Sequence, residues 1–174
     1  MSAMSQAPEK TVRASETNRA FEEAVEPTLK PLLSYFLRRV TPTEDAADCL
    51  SETLVVLWQQ RHKLPTVEAE VRAWSFGIAR NVLANHRRGQ MRQSALGHRL
   101  KQELATTSIV PPDEGRAGLV AALAQLKEDD RELVMLIAWD GFGVAEAGAH
   151  LGLKPEAARA RYSRARARLR ELLS

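Results

Sequence analysis

One short break near the end of the chain constrains its fold more than any other feature. Gly152-Leu153-Lys154 separates two helical patterns within GFGVAEAGAHLGLKPEAARARYSRARARLRELLS, residues 141–174. Pro155 follows the break, at the first position of a helix, where a missing N–H forfeits no intrahelical bond. Beyond it Ala158, Tyr162, Ala165, Leu169 and Leu172 recur at i, i+4, i+7, i+11 and i+14, which defines one apolar face. Arg159, Arg161, Arg164, Arg166, Arg168 and Arg170 flank that face on both sides. Before the break, Ala145, Ala147, Gly148 and Ala149 are small, so the two helices are able to cross closely. A helix, a Gly-containing turn and a basic helix form the helix-turn-helix pattern, whose second helix suits the DNA major groove.

With 174 residues the chain has room for one domain or two small ones, and an apolar fraction of 44% sustains a packed core. The formal net charge of +3 says little, but its distribution is informative. Residues 72–92 hold five arginines and no acid, whereas acids gather at 44–52 and 128–132. Separate basic and acidic faces suit separate contacts with nucleic acid and with protein. A single cysteine, Cys49, excludes an internal disulfide, and its apolar neighbours place it in a core. The histidines lack ligand spacing, so neither a metal site nor a cofactor is expected. No apolar leader and no run of roughly 18 apolar residues occurs, so the expectation is a cytoplasmic protein without membrane insertion.

Residues 1–17 are polar and aperiodic and read as a disordered tail. A helix starting near Asn18 carries Phe21, Val25, Leu29, Leu32, Leu33 and Phe36 at helical spacing, and Pro27 and Pro31 are expected to kink or divide it. After the turn at Thr41-Pro42-Thr43, Thr43 is placed to cap a second helix whose first turn carries Glu44 and Asp45. On that helix Ala46, Leu50, Thr53, Leu54 and Leu57 share one side, while Asp48, Glu52, Val55 and Gln59 share the other. Read from its residues alone, the second face is either solvated surface or a docking surface with an apolar centre and a charged rim.

A third helical segment spans about Val67 to Arg88, with Trp74 and Phe76 read as core and Gly77 as a candidate break. Arg87 and Arg88 are expected to contact phosphate. Arginines with Asn81 and Asn85 also fit a surface for single-stranded nucleic acid. Residues 93–118 lose periodicity and read as a flexible linker. Leu119, Leu123 and Leu126 then form a short amphipathic helix. Asp129 or Asp130 is placed to cap the next one, and Asp140-Gly141 to turn the chain into the helix-turn-helix. The fold class is all-α: two small helical domains, 18–92 and 119–174, joined by a linker.

Three blocks in this order resemble the sigma-70 family of bacterial RNA polymerase initiation factors, in particular its extracytoplasmic-function (ECF) group. DAADCLSETLVVLW (Asp45–Trp58) resembles the family's region 2.2, and RAWSFGIARNVLANHRR (Arg72–Arg88) resembles regions 2.3 and 2.4. Residues 123–172 resemble region four. The resemblance implies a dissociable promoter-specificity subunit and not an enzyme. Asp48, Glu52, Val55 and Gln59 would dock on the clamp helices of the polymerase β′ subunit, and the second domain on the β flap. Arg80, Asn81, Asn85, Arg87 and Arg88 would read and open the −10 promoter element. Arg159, Ser163 and Arg164 would read the −35 element, with Arg161 and Arg168 on phosphates, and Trp139 and Tyr162 in the core. An anti-sigma factor is a common partner in the family.

Some positions depart from the family's pattern. Asn85 stands where an Asp is usual, Lys154-Pro155 where a capping Ser is common, and Ala147-Gly148 where a bulky aliphatic is usual. Ala160 has no group to hydrogen-bond a base. The alternative reading of Gly141–Ser174 is a stand-alone helix-turn-helix regulator, which gives Asp45–Gln59 no role. An enzyme would need a carboxylate cluster, a nucleophile with a base, or a phosphate-binding Gly loop.

Overall fold

The computed structural model describes residues 7–97 and 114–174, and every regular element among them is helical. The chain divides into two compact units, Met1–Leu100 and Lys101–Ser174.

The first unit packs three helices: α1 (Ala7–Leu37), α2 (Asp45–Gln59) and α3 (Glu68–Gly97). A 3-10 turn, Arg61–Lys63, lies between α2 and α3. In α1 the buried positions are Phe21, Val25, Thr28, Leu32, Tyr35 and Phe36, a helical stripe. Phe21 and Val25 meet Leu57 of α2 and Ile78 of α3, with Trp58 and Trp74 packed at the margin. Edge-to-face ring contacts join Phe21 to Trp58, with centroids 5.3 Å apart, and Tyr35 to Phe76 at 5.4 Å. Buried hydroxyls are satisfied within their own helices: Thr28 donates to the Val25 carbonyl, Thr53 to Cys49 and Ser75 to Val71, at 2.7–2.8 Å. Cys49 is buried, as its apolar surroundings in the sequence imply.

Four expectations change here. α1 begins at Ala7, so 7–17 belongs to the helix instead of a tail. Once the downstream stripe has nucleated the helix, each added residue needs only propagation, and Ala, Glu, Lys and Arg propagate well. Second, Pro27 and Pro31 do not divide α1. Each removes a donor to the carbonyl four residues back; those carbonyls belong to Glu23 and Pro27, both exposed, where water is available to accept the role. Third, α3 runs unbroken through Gly77, because a single Gly costs only about 0.8–1 kcal/mol and the flanking Phe76, Ile78 and Ala79 are buried. Fourth, Glu44 and not Thr43 is the N-cap of α2, without a side-chain cap bond, while the Thr43 carbonyl accepts the Ala46 N–H at 3.1 Å.

The second unit contains α4 (Glu114–Ala124), α5 (Glu128–Ala138), α6 (Val144–His150) and α7 (Pro155–Leu173). Helix α4 starts five residues before the expected boundary at Leu119; the rest of the expected linker, 98–113, lies outside the described residues. Leu126, Val134 and Ala165 form a core flanked by Leu123, Tyr162 and Leu169, which seats the apolar face of α7 as its spacing implies. Leu133, Val134, Met135 and Leu136 are all buried, whereas Trp139 is 42% exposed and does not belong to the core. Helix α5 stops at Ala138, and Trp139 is its C-cap, with its N–H bonded to the Met135 carbonyl at 3.0 Å. Neither Asp129 nor Asp130 caps α5; Lys127 holds that position without a side-chain bond.

Gly152 makes the helix-turn-helix break. Its φ is +69°, a conformation that costs a side-chain-bearing residue energy. The Gly152 N–H bonds the Ala149 carbonyl at 3.0 Å, and the Leu153 N–H bonds Gly148 at 2.9 Å. This pair closes α6 as a Schellman motif. At the other end of α6 the Glu146 carboxylate accepts the Gly143 N–H at 2.8 Å.

Candidate nucleic-acid and protein interfaces

Asp48, Glu52, Val55 and Gln59 recur at i, i+4, i+7 and i+11 on α2, and all four are exposed. The opposite side of the helix is buried through Ala46, Cys49, Thr53 and Leu57, so packing fixes the direction in which the four project. Val55 is 54% exposed between two carboxylates and an amide. Those carboxylates also act on the core: burial pushes the Cys49 thiol up from its ordinary range, and Glu52, Asp45 and Asp48 add to the shift. Cys49 is thus kept as a neutral thiol.

Arg80, Asn81, Asn85 and Arg88 share the exposed face of α3, with Arg87 half-buried beside them. The reverse side, Ala79, Val82 and Leu83, is buried and locks the helix in rotation. Arg88 donates to Asn85 Oδ1, so the amide is oriented by its neighbour. Phe76 lies in the core, and Trp74 is partly buried against it; neither presents an open stacking surface. Two links tie α3 to the preceding segments. Gln90 donates to the Thr41 carbonyl at 2.7 Å, and His86 Nε2 lies 3.5 Å from Asp45 Oδ2. The sequence pattern did not single out either link, since both join residues more than forty positions apart.

On α7 the structure sorts the arginines. Arg159, Ser163 and Arg164 are exposed on α7, as is Ala160. Arg161 is different: its Nε donates to Asp130 Oδ1 at 2.8 Å, and its Nη2 lies 3.6 Å from Asp129. Its side chain is 25% exposed. This ion pair pins α7 to the start of α5. The two acids sit in the first turn of α5, where the helix dipole also favours them. Arg168 pairs with Glu171 at 3.1 Å on an exposed surface and remains accessible. Arg166 and Arg170, which the sequence reading assigned no individual role, line a groove with Arg159; the i, i+4, i+7, i+11 spacing of 159, 163, 166 and 170 carries the signal.

Among the described residues no group of three or more His, Cys, Asp or Glu side chains is arranged to hold a metal ion, and no helix is long and apolar enough to cross a membrane. The architecture is a helical unit with an acidic–apolar face on α2 and a basic–amide face on α3, together with a helix-turn-helix unit.

Residues 25–93 match the family model for sigma-70 region 2, and residues 116–169 match that for sigma-70 region 4. The RNA polymerase sigma factor CarQ of Myxococcus xanthus is 31% identical, spanning 88% of this chain and 89% of that protein. The ECF RNA polymerase sigma factor SigF of Caulobacter vibrioides is 33% identical over 77% of this chain and 74% of its own length. Among solved structures, the sigma factor RpoE of Bartonella quintana, in complex with the anti-sigma factor NepR, superposes with a TM-score of 0.70 and 26% identity. That superposition covers 89% of this chain and 97% of RpoE. The chain belongs to the sigma-70 family of RNA polymerase sigma factors, in its ECF group. Its function is promoter recognition for RNA polymerase.

Proposed function

We propose that the first unit, residues 18–92 in the main, binds core RNA polymerase and the −10 element, while residues 119–174 bind the −35 element. One observation carries this division: α2 and α3 expose opposite kinds of surface from one shared core. Asp48, Glu52, Val55 and Gln59 form the face for the β′ clamp helices. An apolar residue ringed by polar groups is the composition of a protein interface. Arg80, Asn81, Asn85, Arg87 and Arg88 form the face for the −10 element. Their guanidinium and amide groups suit unpaired bases and the phosphates that join them. Capturing unpaired bases offsets an opening cost of a few kcal/mol per step.

In the second unit Arg159, Ser163 and Arg164 on α7 read the −35 element, Arg168 contacts phosphate, and the unit docks on the β flap. Arg159 and Arg164 are the base-reading candidates, because Arg bonds guanine edges bidentately in the major groove. The polymerase supplies the chemistry, so the subunit acts without catalysis and in the compartment of the polymerase, the cytoplasm. The same reading includes an anti-sigma factor among the partners, as the Bartonella neighbour has one.

Alanine at Arg159 and Arg164 tests the recognition helix. The expected result is loss of −35 discrimination with core binding intact; unchanged promoter selection would contradict the assignment. A stand-alone helix-turn-helix regulator would instead bind its duplex site without polymerase, and would fail to copurify with the core enzyme.

A further inference from the structure

The apolar core holds α3 only part of the way along. Ala79, Val82 and Leu83 are buried, but no residue from 84 to 92 is. The stretch that carries Asn85, Arg87 and Arg88 therefore lies beyond the apolar packing at Leu83. Gly89 weakens that stretch further, since it lowers helix propensity and a Cβ there would meet nothing within 4 Å.

Two polar contacts take over where the apolar ones stop. Positions 79, 83, 86 and 90 keep the i, i+4, i+7, i+11 spacing of one stripe, but its residues change from Ala79 and Leu83 to His86 and Gln90. At about 100° per residue this stripe lies opposite Asn81, Asn85 and Arg88. The Gln90 amide donates to the Thr41 carbonyl at 2.7 Å, and His86 Nε2 stands 3.5 Å from Asp45 Oδ2. The ring nitrogen is buried and makes no hydrogen bond, so the carboxylate acts on it through its charge. Both partners lie where the chain turns from α1 into α2. Buried Val40 and Ala46 bracket that turn, and the Asp45 and Ala46 N–H groups bond the Pro42 and Thr43 carbonyls at 3.2 and 3.1 Å. The turn is a fixed anchor.

We infer that His86 and Gln90 are positioning residues for the −10 face. They fasten the back of α3 to the α1–α2 turn, and so fix where the front of the helix presents its amide and guanidinium groups to unpaired bases. Contact with DNA is left to Asn85, Arg87 and Arg88. The inference rests on α3 carrying the −10 face.

The test compares wild type with His86→Leu, Gln90→Met and the double variant, which keep helix propensity and lose the contacts. Amide hydrogen exchange is read in the full chain. The holoenzyme is titrated with single-stranded oligonucleotides from the non-template −10 region of promoters at which it initiates, native and scrambled. In the double variant exchange within 84–92 is expected to rise about fivefold, the effect of one lost hydrogen bond. Residues 71–83 keep their protection, which shows that the unit folds. Discrimination between native and scrambled oligonucleotides is expected to fall about tenfold, the reading of one base. His86→Gln, which keeps an N–H for Asp45, retains most of it. Adding Gly89→Ala to the double variant restores the helix but not its docking, so protection returns while discrimination stays low. Unchanged exchange within 84–92 overturns the docking. Unchanged discrimination, or its recovery with Gly89→Ala, overturns the positioning role alone. A wild-type holoenzyme that does not discriminate sinks the −10 assignment of α3, and the inference with it.

Discussion

Gly148 and Ala158 bring α6 and α7 into contact: a Cβ added at Gly148 would lie 2.4 Å from the Cβ of Ala158. The crossing is made by the absence of a side chain on one helix and a methyl group on the other. Ala147 and Ala158 are fully buried on either side of it. Gly148→Ala is expected to destabilise the second unit by about 1–3 kcal/mol, since neither helix is free to give way by an ångström. Chemical denaturation monitored through Trp139 measures this, and adding Ala158→Gly should recover part of the loss. Wild-type stability in the single variant would show that the crossing is looser than described.

Gly77 presents the opposite case. A Cβ there meets nothing within 4 Å, and the residue lies inside a continuous helix. Gly77→Ala is expected to stabilise the first unit by about 0.8–1 kcal/mol through helix propensity. Thermal unfolding provides the check, and a lower melting temperature would mean that the free fold does not accommodate a Cβ at position 77.

Arg161 is expected to behave as a stabilising residue and not as a DNA contact. Arg161→Ala should cost about 1 kcal/mol, at the upper end for partly exposed pairs, and should leave the salt slope of DNA binding unchanged. A double-mutant cycle with Asp130→Ala isolates the pair. A flatter slope on losing Arg161 alone would return it to the phosphate contacts.

The exposed face of α2 should respond in binding and not in folding. Glu52→Lys with Val55→Asp is expected to weaken core polymerase affinity about tenfold or more, because an apolar contact and a favourable charge are lost together. Both positions are exposed, so unfolding should shift by no more than about 0.5 kcal/mol. Equal affinity for wild type and variant would move the docking surface elsewhere.

Cys49 adds a pH dependence. Burial and three nearby carboxylates raise its folded pKa above the ordinary 9.0. The folded state therefore holds a proton that the unfolded chain releases first. The stabilisation is complete below pH 9.0 and is lost as pH rises from there through the folded pKa. Cys49→Ala should make stability less sensitive to alkaline pH, and native Cys49 should resist thiol alkylation until the protein unfolds.

Helical periodicity made the architecture legible. Phe21, Val25 and Leu32 on α1, and Ala158 and Ala165 on α7, are buried as their spacing requires. The exposure of Asp48, Glu52, Val55 and Gln59 follows from the same rule. Local punctuation was less informative. Pro27, Pro31 and Gly77 carry breaking signals that the packing of their neighbours overrides, and helix propagation into 7–17 needs no apolar stripe. Trp139 has an apolar side chain but stands 42% exposed at the C-cap of α5, which its spacing did not reveal. Arg161 shows the limit most clearly. Its partners, Asp129 and Asp130, are about thirty positions away, and nothing in the spacing of α7 separates it from Arg159 or Arg164.

If this chain directs core RNA polymerase to promoters carrying two elements, transcription in vitro with core polymerase on fragmented genomic DNA, with start sites mapped, reveals it. New start sites are expected that share a −10 and a −35 element at fixed spacing and that lose −35 dependence with Arg159→Ala and Arg164→Ala. Start sites identical to those of core polymerase alone would contradict it.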